Sequence, residues 1–444
     1  MDDYVGVYQN RTPKSLALYE RARQVMPGGI CHTPRFNKPY PLYVQKADGS
    51  KVWDVDGNEY VDLWMGHYAL ILGHNPAVTR PILEDCARWG THWGIPNEFE
   101  VSYAEDLCRV IPGLEELRFC VTGTEATMYA VRLIRAFTGK EIVLKVRGGW
   151  HGGNTDLSIG VHAPMDTVDS GGLPAATAEY TKLIPFNDPE GVLQVVEQYR
   201  DRLAGVIIEP MGLAFIEPLP GFFDTVQSAV RKAGGLVILD EIVTGARLGL
   251  RGAQEYYGIS PDLVTLGKIL GGGMAIGVVG GRRDIMELCS PLAGLPKEKG
   301  VLVGGGTFSV MPPSMRAGRA VFNYLEQHEA EIYPDLARKG EYVRKGLADA
   351  FSEVGLGATV HGVGSLFSVQ FPSSPDVALR NLEDVELKTD TGKRNNEFKT
   401  RMSNHGVFMV WGGGALSTAH TDHDLDRIIE AGHAAAKEMV RAEG

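Results

Sequence analysis

In the run SPDLVTLGKILGGGMAIG (260–277), one lysine stands between an apolar stretch and three glycines. Lys268 follows Leu263, Val264 and Leu266 and precedes Ile269 and Leu270, so its neighbours predict burial. Burial disfavours the ammonium form, lowers the pKa and leaves an amine able to attack a carbonyl. The competing reading is a lysine that snorkels out of a strand-to-helix turn. The glycines after it allow backbone or ligand to approach closely.

Two carboxylates also close apolar runs: Asp240 ends GGLVILD and Glu209 ends AGVIIE. In an open parallel sheet ligands bind at the carboxyl ends of the strands, where Glu209, Asp240 and Lys268 would converge. An imine-forming lysine needs an electron acceptor, and pyridoxal 5'-phosphate is one. That cofactor demands a phosphate cradle, a carboxylate for its pyridine nitrogen and flat surfaces against its ring. Thr122-Gly123-Thr124 leads into a helical pattern with Ala130, Leu133, Ile134 and Phe137 on one face. Amides at such a helix start suit a dianion, although an ordinary N-cap reads the same way. Asp240 would pair with a pyridinium N–H, cap the next turn, or bridge to Arg247. Trp150 and His151 in RGGWHGGN follow a strand, and Ile242 lies two residues beyond Asp240. Trp150 and Ile242 offer ring faces, and Trp150 serves equally as core packing. The joint order of small-residue loop, aromatic-His-Gly, strand-end Asp and strand-end Lys carries the reading.

The elements that must position these residues are of two kinds. Between Tyr40 and Pro76, turn signals at Asp48-Gly49 and Asp56-Gly57 separate β-prone runs and predict an antiparallel meander. Helical stretches follow at 80–88 and 98–110. Strand-like runs at 141–146, 205–209, 236–240 and 263–267 then alternate with helical segments such as GVLQVVEQYRDRLA. That alternation predicts an α/β fold, with parallel strands and helices on both faces. The remainder, with helices at 314–329 and 331–354 and short strands near GSLFSVQF and GVFMVWGG, reads as a smaller α+β domain. Expected boundaries are 1–76, 77–313 and 314–444.

Composition excludes several classes of function. A formal net charge of −11 and the lack of a Lys/Arg block argue against nucleic acid. The five cysteines are odd in number and show no CxxC spacing, so neither a disulfide framework nor a zinc site is expected. No apolar run approaches the roughly 18 residues needed to span a bilayer, and the N-terminal stretch has no apolar core, so a soluble cytoplasmic protein is expected. His420 and His423 in HTDHD are weak as metal ligands, whereas Thr421 with Asp424 is a helix-start signature. Gly271, Gly273 and Gly277 fail the dinucleotide spacing.

Five segments, SLALYERARQVMPGG, TGTEATMYAVRLIRA, GGLPAATAEYTKLIPFND, DEIVTGAR and GAQEYYGISPDLVTLGKILGGG, resemble class III pyridoxal-phosphate aminotransferases. Within that class they look most like the glutamate-1-semialdehyde aminomutase branch. The similarity runs from about Ser15 to Arg427. It implies fold type I: a mostly parallel seven-stranded sheet, a smaller discontinuous domain, and a homodimer with shared active sites. It also implies that Lys268 bonds covalently to the cofactor, Asp240 binds the pyridine nitrogen and Gly123 and Thr124 bind phosphate. Trp150 fills the stacking slot, and Thr307 in GGGTFSV matches the threonine that reaches the neighbouring subunit's phosphate.

Three departures concern the substrate. Ala214 in EPMGLAF replaces an asparagine near the cofactor's phenolic oxygen. His67 and Tyr68 in GHYALILGH replace Trp and Gly, and WGGGALS is shorter than the segment carrying the aminomutase's glutamate. Arg35 lies seven residues after Gly28, the spacing at which that branch carries a carboxylate-gripping arginine. The expectation is an aminotransferase for a small amino donor, such as a β- or D-amino acid, and a keto acceptor. The alternatives are an aminomutase, an epimerase, or a non-catalytic cofactor-binding protein.

Overall fold

The computed structural model describes residues 3–443 apart from Leu213, the one member of EPMGLAF outside the described residues. The chain forms two compact units: 1–76 with 331–378 and 388–444, and 77–330 with 379–387.

In the smaller unit, β1 (Val44–Asp48), β2 (Lys51–Asp54) and β3 (Glu59–Asp62) form the expected antiparallel meander. The turn between β2 and β3 is fixed by Asp54, whose carboxylate accepts from the amides of Asp56 and Asn58.

The larger unit holds the other principal sheet. Its strands are β4 (Glu116–Cys120), β5 (Ile142–Val146), β6 (Thr181–Ile184), β7 (Leu203–Ile208), β8 (Leu236–Asp240), β9 (Leu263–Gly267) and β10 (Gly277–Gly281). They lie in the order β4-β10-β9-β8-β7-β5-β6. The run from β6 through β5, β7 and β8 to β9 is parallel, and β10 is antiparallel to both neighbours. Strands β5, β7, β8 and β9 are buried throughout, as near-continuous apolar runs in a doubly covered sheet should be. Helix Gly123–Thr138 packs Ala130, Leu133 and Ile134 against this sheet, with Ile207 and Ile238 in the same core.

Back in the smaller unit, β11 (Thr359–His361), β12 (Leu366–Gln370) and β14 (Gly413–Ala415) form a three-stranded sheet, while β13 (Val407–Phe408) pairs with β3. Helices Glu329–Val354 and Asp422–Glu443 contribute Val343, Leu347, Phe351, Leu425 and Ile428 to its core. Thr421 and Asp424 form the reciprocal cap at the start of the second helix.

The domain expectation needs one correction. Helix Pro312–Gln327 belongs to the larger unit, which extends to Ala330 rather than ending at 313 and regains residues 379–387. The physical reason is close backbone packing: a Cβ on Gly318 would lie 2.0 Å from the Leu270 carbonyl oxygen, so this helix rests on the turn after β9.

Candidate active site

Asp240 ends β8 opposite Thr265 of β9, and the parallel register puts its carboxylate beside the turn that carries Lys268. Oδ1 accepts from the Ile242 amide at 3.1 Å and the Thr265 hydroxyl at 3.1 Å. Oδ2 lies 2.7 Å from Nδ1 of His151, which is fully buried. Burial lowers the His151 pKa against the opposing pull of Asp240, so the neutral ring donates its Nδ1–H to the carboxylate. The expected alternative partner, Arg247, is also buried.

Lys268 opens the turn after β9 with φ of 45°, in the left-handed region that non-glycine residues rarely adopt. Tyr103 holds the turn by donating its hydroxyl to the Leu270 carbonyl at 2.7 Å. Gly272 has φ of 58° and packs against the Ala317 carbonyl, so this glycine admits backbone rather than ligand. Desolvation lowers the Lys268 pKa, Asp240 and Glu209 partly offset it, and Arg247 adds to it.

Lys145 in the middle of IVLKV carried the same sequence signal of a lysine in an apolar strand, yet the two lysines differ chemically. The Lys145 ammonium donates to three carbonyls at 2.8–3.0 Å. Lys268 has no hydrogen-bond or ion-pair partner among the described residues, which is the state a nucleophilic amine requires.

Glu209 follows β7 and accepts the Trp150 amide at 2.8 Å. Burial, reinforced by the Asp240 charge, pushes its carboxyl up to about 8 against the Trp150 hydrogen bond and the two lysines. Trp150 itself is exposed. Ile242 is half-buried; a Cβ on Gly123 would lie 2.9 Å from its Cδ1, and one on Gly267 3.1 Å.

At the start of helix Gly123–Thr138, Thr122 and Glu125 form a capping box. Glu125 takes the amides of Val121 and Thr122, and the Thr122 hydroxyl takes that of Glu125. The amides of Gly123 and Thr124 have no acceptor among the described residues. Thr127 donates to the His151 carbonyl at 2.7 Å, and the Thr124 hydroxyl accepts from Gly153 at 3.2 Å, bolting the Trp150–Gly153 loop to this helix. Thr127 and Thr265 were not singled out from sequence, because a threonine inside a helix or strand carries no local sign of its partner.

A family model for class III aminotransferases matches residues 33–427. The chain belongs to the class III aminotransferases. It is 39% identical over 426 residues to a glutamate-1-semialdehyde 2,1-aminomutase of Methanosarcina acetivorans, covering 94% of this chain and 97% of that one. Its fold matches an omega-transaminase from Sphaerobacter thermophilus with a TM-score of 0.90 at 31% identity, over 98% and 99% of the two chains. A transaminase structure with pyridoxal phosphate bound matches at a TM-score of 0.87 and 32% identity, over 98% and 99%. The protein is thus a pyridoxal-phosphate-dependent enzyme of fold type I, and the local chemistry fits the cofactor: two open amides at a helix start, a buried carboxylate, and a half-buried amine without a hydrogen-bond partner among the described residues.

The smaller unit carries the residues singled out for substrate. Met65, Gly66, His67 and Tyr68 form a turn with four successive positive φ angles, from 43° to 65°. It presents His67 to Trp64 at 4.2 Å between ring centroids, to His32 at 5.4 Å and to Trp411 at 6.2 Å. Tyr68 is buried behind them, edge-on to Trp64. Arg35 ends the short turn Thr33–Arg35 and is exposed, with no ion-pair partner among the described residues. Thr307 is exposed on the larger unit, and Ala214 is buried in an apolar cluster with Ile216 and Val385. Among the described residues no group of acidic, histidine or cysteine side chains could hold a metal. No helix among them is long and apolar enough to cross a membrane.

Proposed function

We propose that the protein is an aminotransferase moving an amino group between an amino acid and a keto acid, with Lys268 and Asp240 as its catalytic residues. Bound pyridoxal phosphate supplies the sink for the electron pair left when a bond at the amino-bearing carbon breaks. Asp240, oriented by three hydrogen-bond donors, pairs with the ring nitrogen. Lys268 anchors the cofactor and then takes and returns the proton at the substrate carbon, a task suited to an amine whose pKa burial has lowered. Gly123 and Thr124 hold the phosphate, with Thr122 shaping the cradle. Trp150, His151, Glu209 and Ile242 position the ring.

The observation that carries the aminotransferase reading is the meeting of His67 with Trp411. Two segments that depart from the aminomutase pattern, 65–68 and 411–417, are joined in one aromatic cluster, so these two departures form a single remodelled patch of the smaller unit. The aminomutase reading keeps the support of the 39% relative. Incubation with glutamate-1-semialdehyde and no keto acceptor decides between them: efficient conversion to 5-aminolevulinate establishes the aminomutase. Keto-acid release from a donor, only with a keto acceptor present, establishes the aminotransferase.

A homodimer with Thr307 completing the partner's phosphate site is part of this proposal. It is supported by exposed Trp89, Trp93, Ile95, Leu302 and Phe308 on the larger unit, and light scattering tests it.

A further inference from the structure

We infer that Lys145 is a positioning residue for the cofactor: its buried ammonium gathers the carbonyls of Gly149, Leu157 and Ile159 and so fixes the segment that aims Trp150 and His151. The side chain is 0% exposed in β5, among Ile142, Val143 and Leu144. Methionine or leucine would fill the same strand position without placing a charge in the core, which is costly unless every donor is paired. Here every donor is paired: three N–H groups meet three carbonyl oxygens at 2.8, 3.0 and 2.8 Å.

The acceptors come from both ends of one loop. Gly149 precedes Trp150, while Leu157 and Ile159 close the loop on its far side. Between them the only regular structure is the short turn Thr155–Leu157. Lys145 is therefore the hub of a segment whose other ties are the Gly148 amide to the Gly160 carbonyl, the Trp150 amide to Glu209, and Thr127 to the His151 carbonyl. The same loop sets the imidazole that donates to Asp240.

Asp169, Glu209 and His151 are the ionisable groups facing this ammonium. Burial lowers the Lys145 pKa to about 8, and Asp169 and Glu209 resist that shift. A deprotonated amine has two N–H donors for three carbonyls, so the clamp weakens in mildly alkaline solution.

The inference rests on the cofactor assignment and is independent of the donor. Hydrogen exchange of segment 147–160 in the holoenzyme, the visible circular dichroism of its bound pyridoxal phosphate, and cofactor loss on dialysis test it with Lys145→Met. The expected result is at least tenfold faster loop exchange, an altered dichroic band and at least tenfold faster cofactor loss, with exchange in β7 to β9 unchanged. A folded variant within twofold of the parent in all three overturns the proposal. Should that variant not fold, the parent protein decides: loop exchange corrected for intrinsic chemistry must rise between about pH 7 and 9.5. The rise must persist in Glu209→Gln, which removes the neighbouring titrating carboxyl. A flat profile overturns the clamp. A protein that shows the pH step in this loop yet binds no added pyridoxal phosphate would overturn the cofactor assignment while leaving the clamp intact.

Discussion

His151 and Asp240 are joined by a 2.7 Å hydrogen bond in a site where both side chains are buried. The imidazole is neutral because burial outweighs the attraction of the carboxylate, so it acts as a donor to Asp240. Asp240→Asn replaces the carboxylate proposed to pair with the cofactor's ring nitrogen and should slow proton removal from a donor amino acid by at least a hundredfold, while Lys268 still binds the cofactor. His151→Ala removes one charged hydrogen bond of about 1.5–3 kcal/mol and should cost about tenfold to a hundredfold. Stopped-flow spectra of the cofactor with excess donor measure both. Near-normal turnover of Asp240→Asn would reduce Asp240 to a structural cap.

Borohydride reduction of the holoenzyme should fix the cofactor's mass on the peptide containing Lys268. Lys145 must remain unlabelled, because its ammonium is tied to three carbonyls. Label on Lys145 or any other lysine would remove the assignment. Lys268→Ala should retain cofactor non-covalently and lose catalysis, since one amine serves both purposes.

Glu209 gives the site a pH signature. Burial raises its carboxyl from an ordinary 4.5 to about 8 in the folded chain. Between those values the folded state keeps a proton that the unfolded state releases, so this group makes stability fall as pH rises and contributes no further change above about 8. Glu209→Gln should flatten the decline in the thermal midpoint of the cofactor-free protein between pH 5 and 8. If parent and variant melt with the same pH slope, Glu209 is ionised throughout.

The polar ends of apolar strands made Lys268, Asp240 and Glu209 legible in the sequence, because a charged residue after a buried run has few places to go. The small-residue run 122–124 was legible for a similar reason, lying just before an amphipathic helix. Lys145 was overlooked because it sits inside its strand, where the pattern reads as an interruption. The His151–Asp240 bond spans 89 residues and leaves no local trace. The same holds for the contact of Trp64 with Trp411. Gly66 alone hinted at the left-handed turn 65–68, since its non-glycine neighbours argue against that conformation. Helix Pro312–Gln327 shows the amphipathic pattern of either unit; the close approaches of Gly318 to Leu270 and of Gly272 to Ala317 assign it.

That approach is itself testable. Gly318→Ala places a methyl group 2.0 Å from the carbonyl of Leu270 in the Lys268 turn and 2.9 Å from the ring of Tyr103, which holds that turn. Overpacking of this kind costs about 1–3 kcal/mol. The thermal midpoint should drop by several degrees and the fraction of Lys268 reducible by borohydride should fall with it. A variant with unchanged melting would show that the turn and helix part easily.

Arg35 discriminates between classes of donor. Its guanidinium is exposed at the end of a short turn whose His32 contacts His67, and no carboxylate among the described residues neutralises it. A planar fork of donors can hold a carboxylate bidentately and orient the carbon beside it, which a lysine in the same place would do less well. The resemblance to the aminomutase branch assigns this position to substrate binding, whereas an ordinary loop arginine would have no preference among donors. Arg35→Ala should therefore lower kcat/KM for amino-acid donors by about 30-fold to 1,000-fold, the scale of about 2–4 kcal/mol for a charged pair enclosed with its substrate. Amines without a carboxylate should be nearly unaffected, because they leave the guanidinium unused. Parallel measurements with an amino acid and its decarboxylated amine check this on one enzyme preparation. Equal losses for both would make Arg35 a structural residue and move the search for the carboxylate's partner elsewhere.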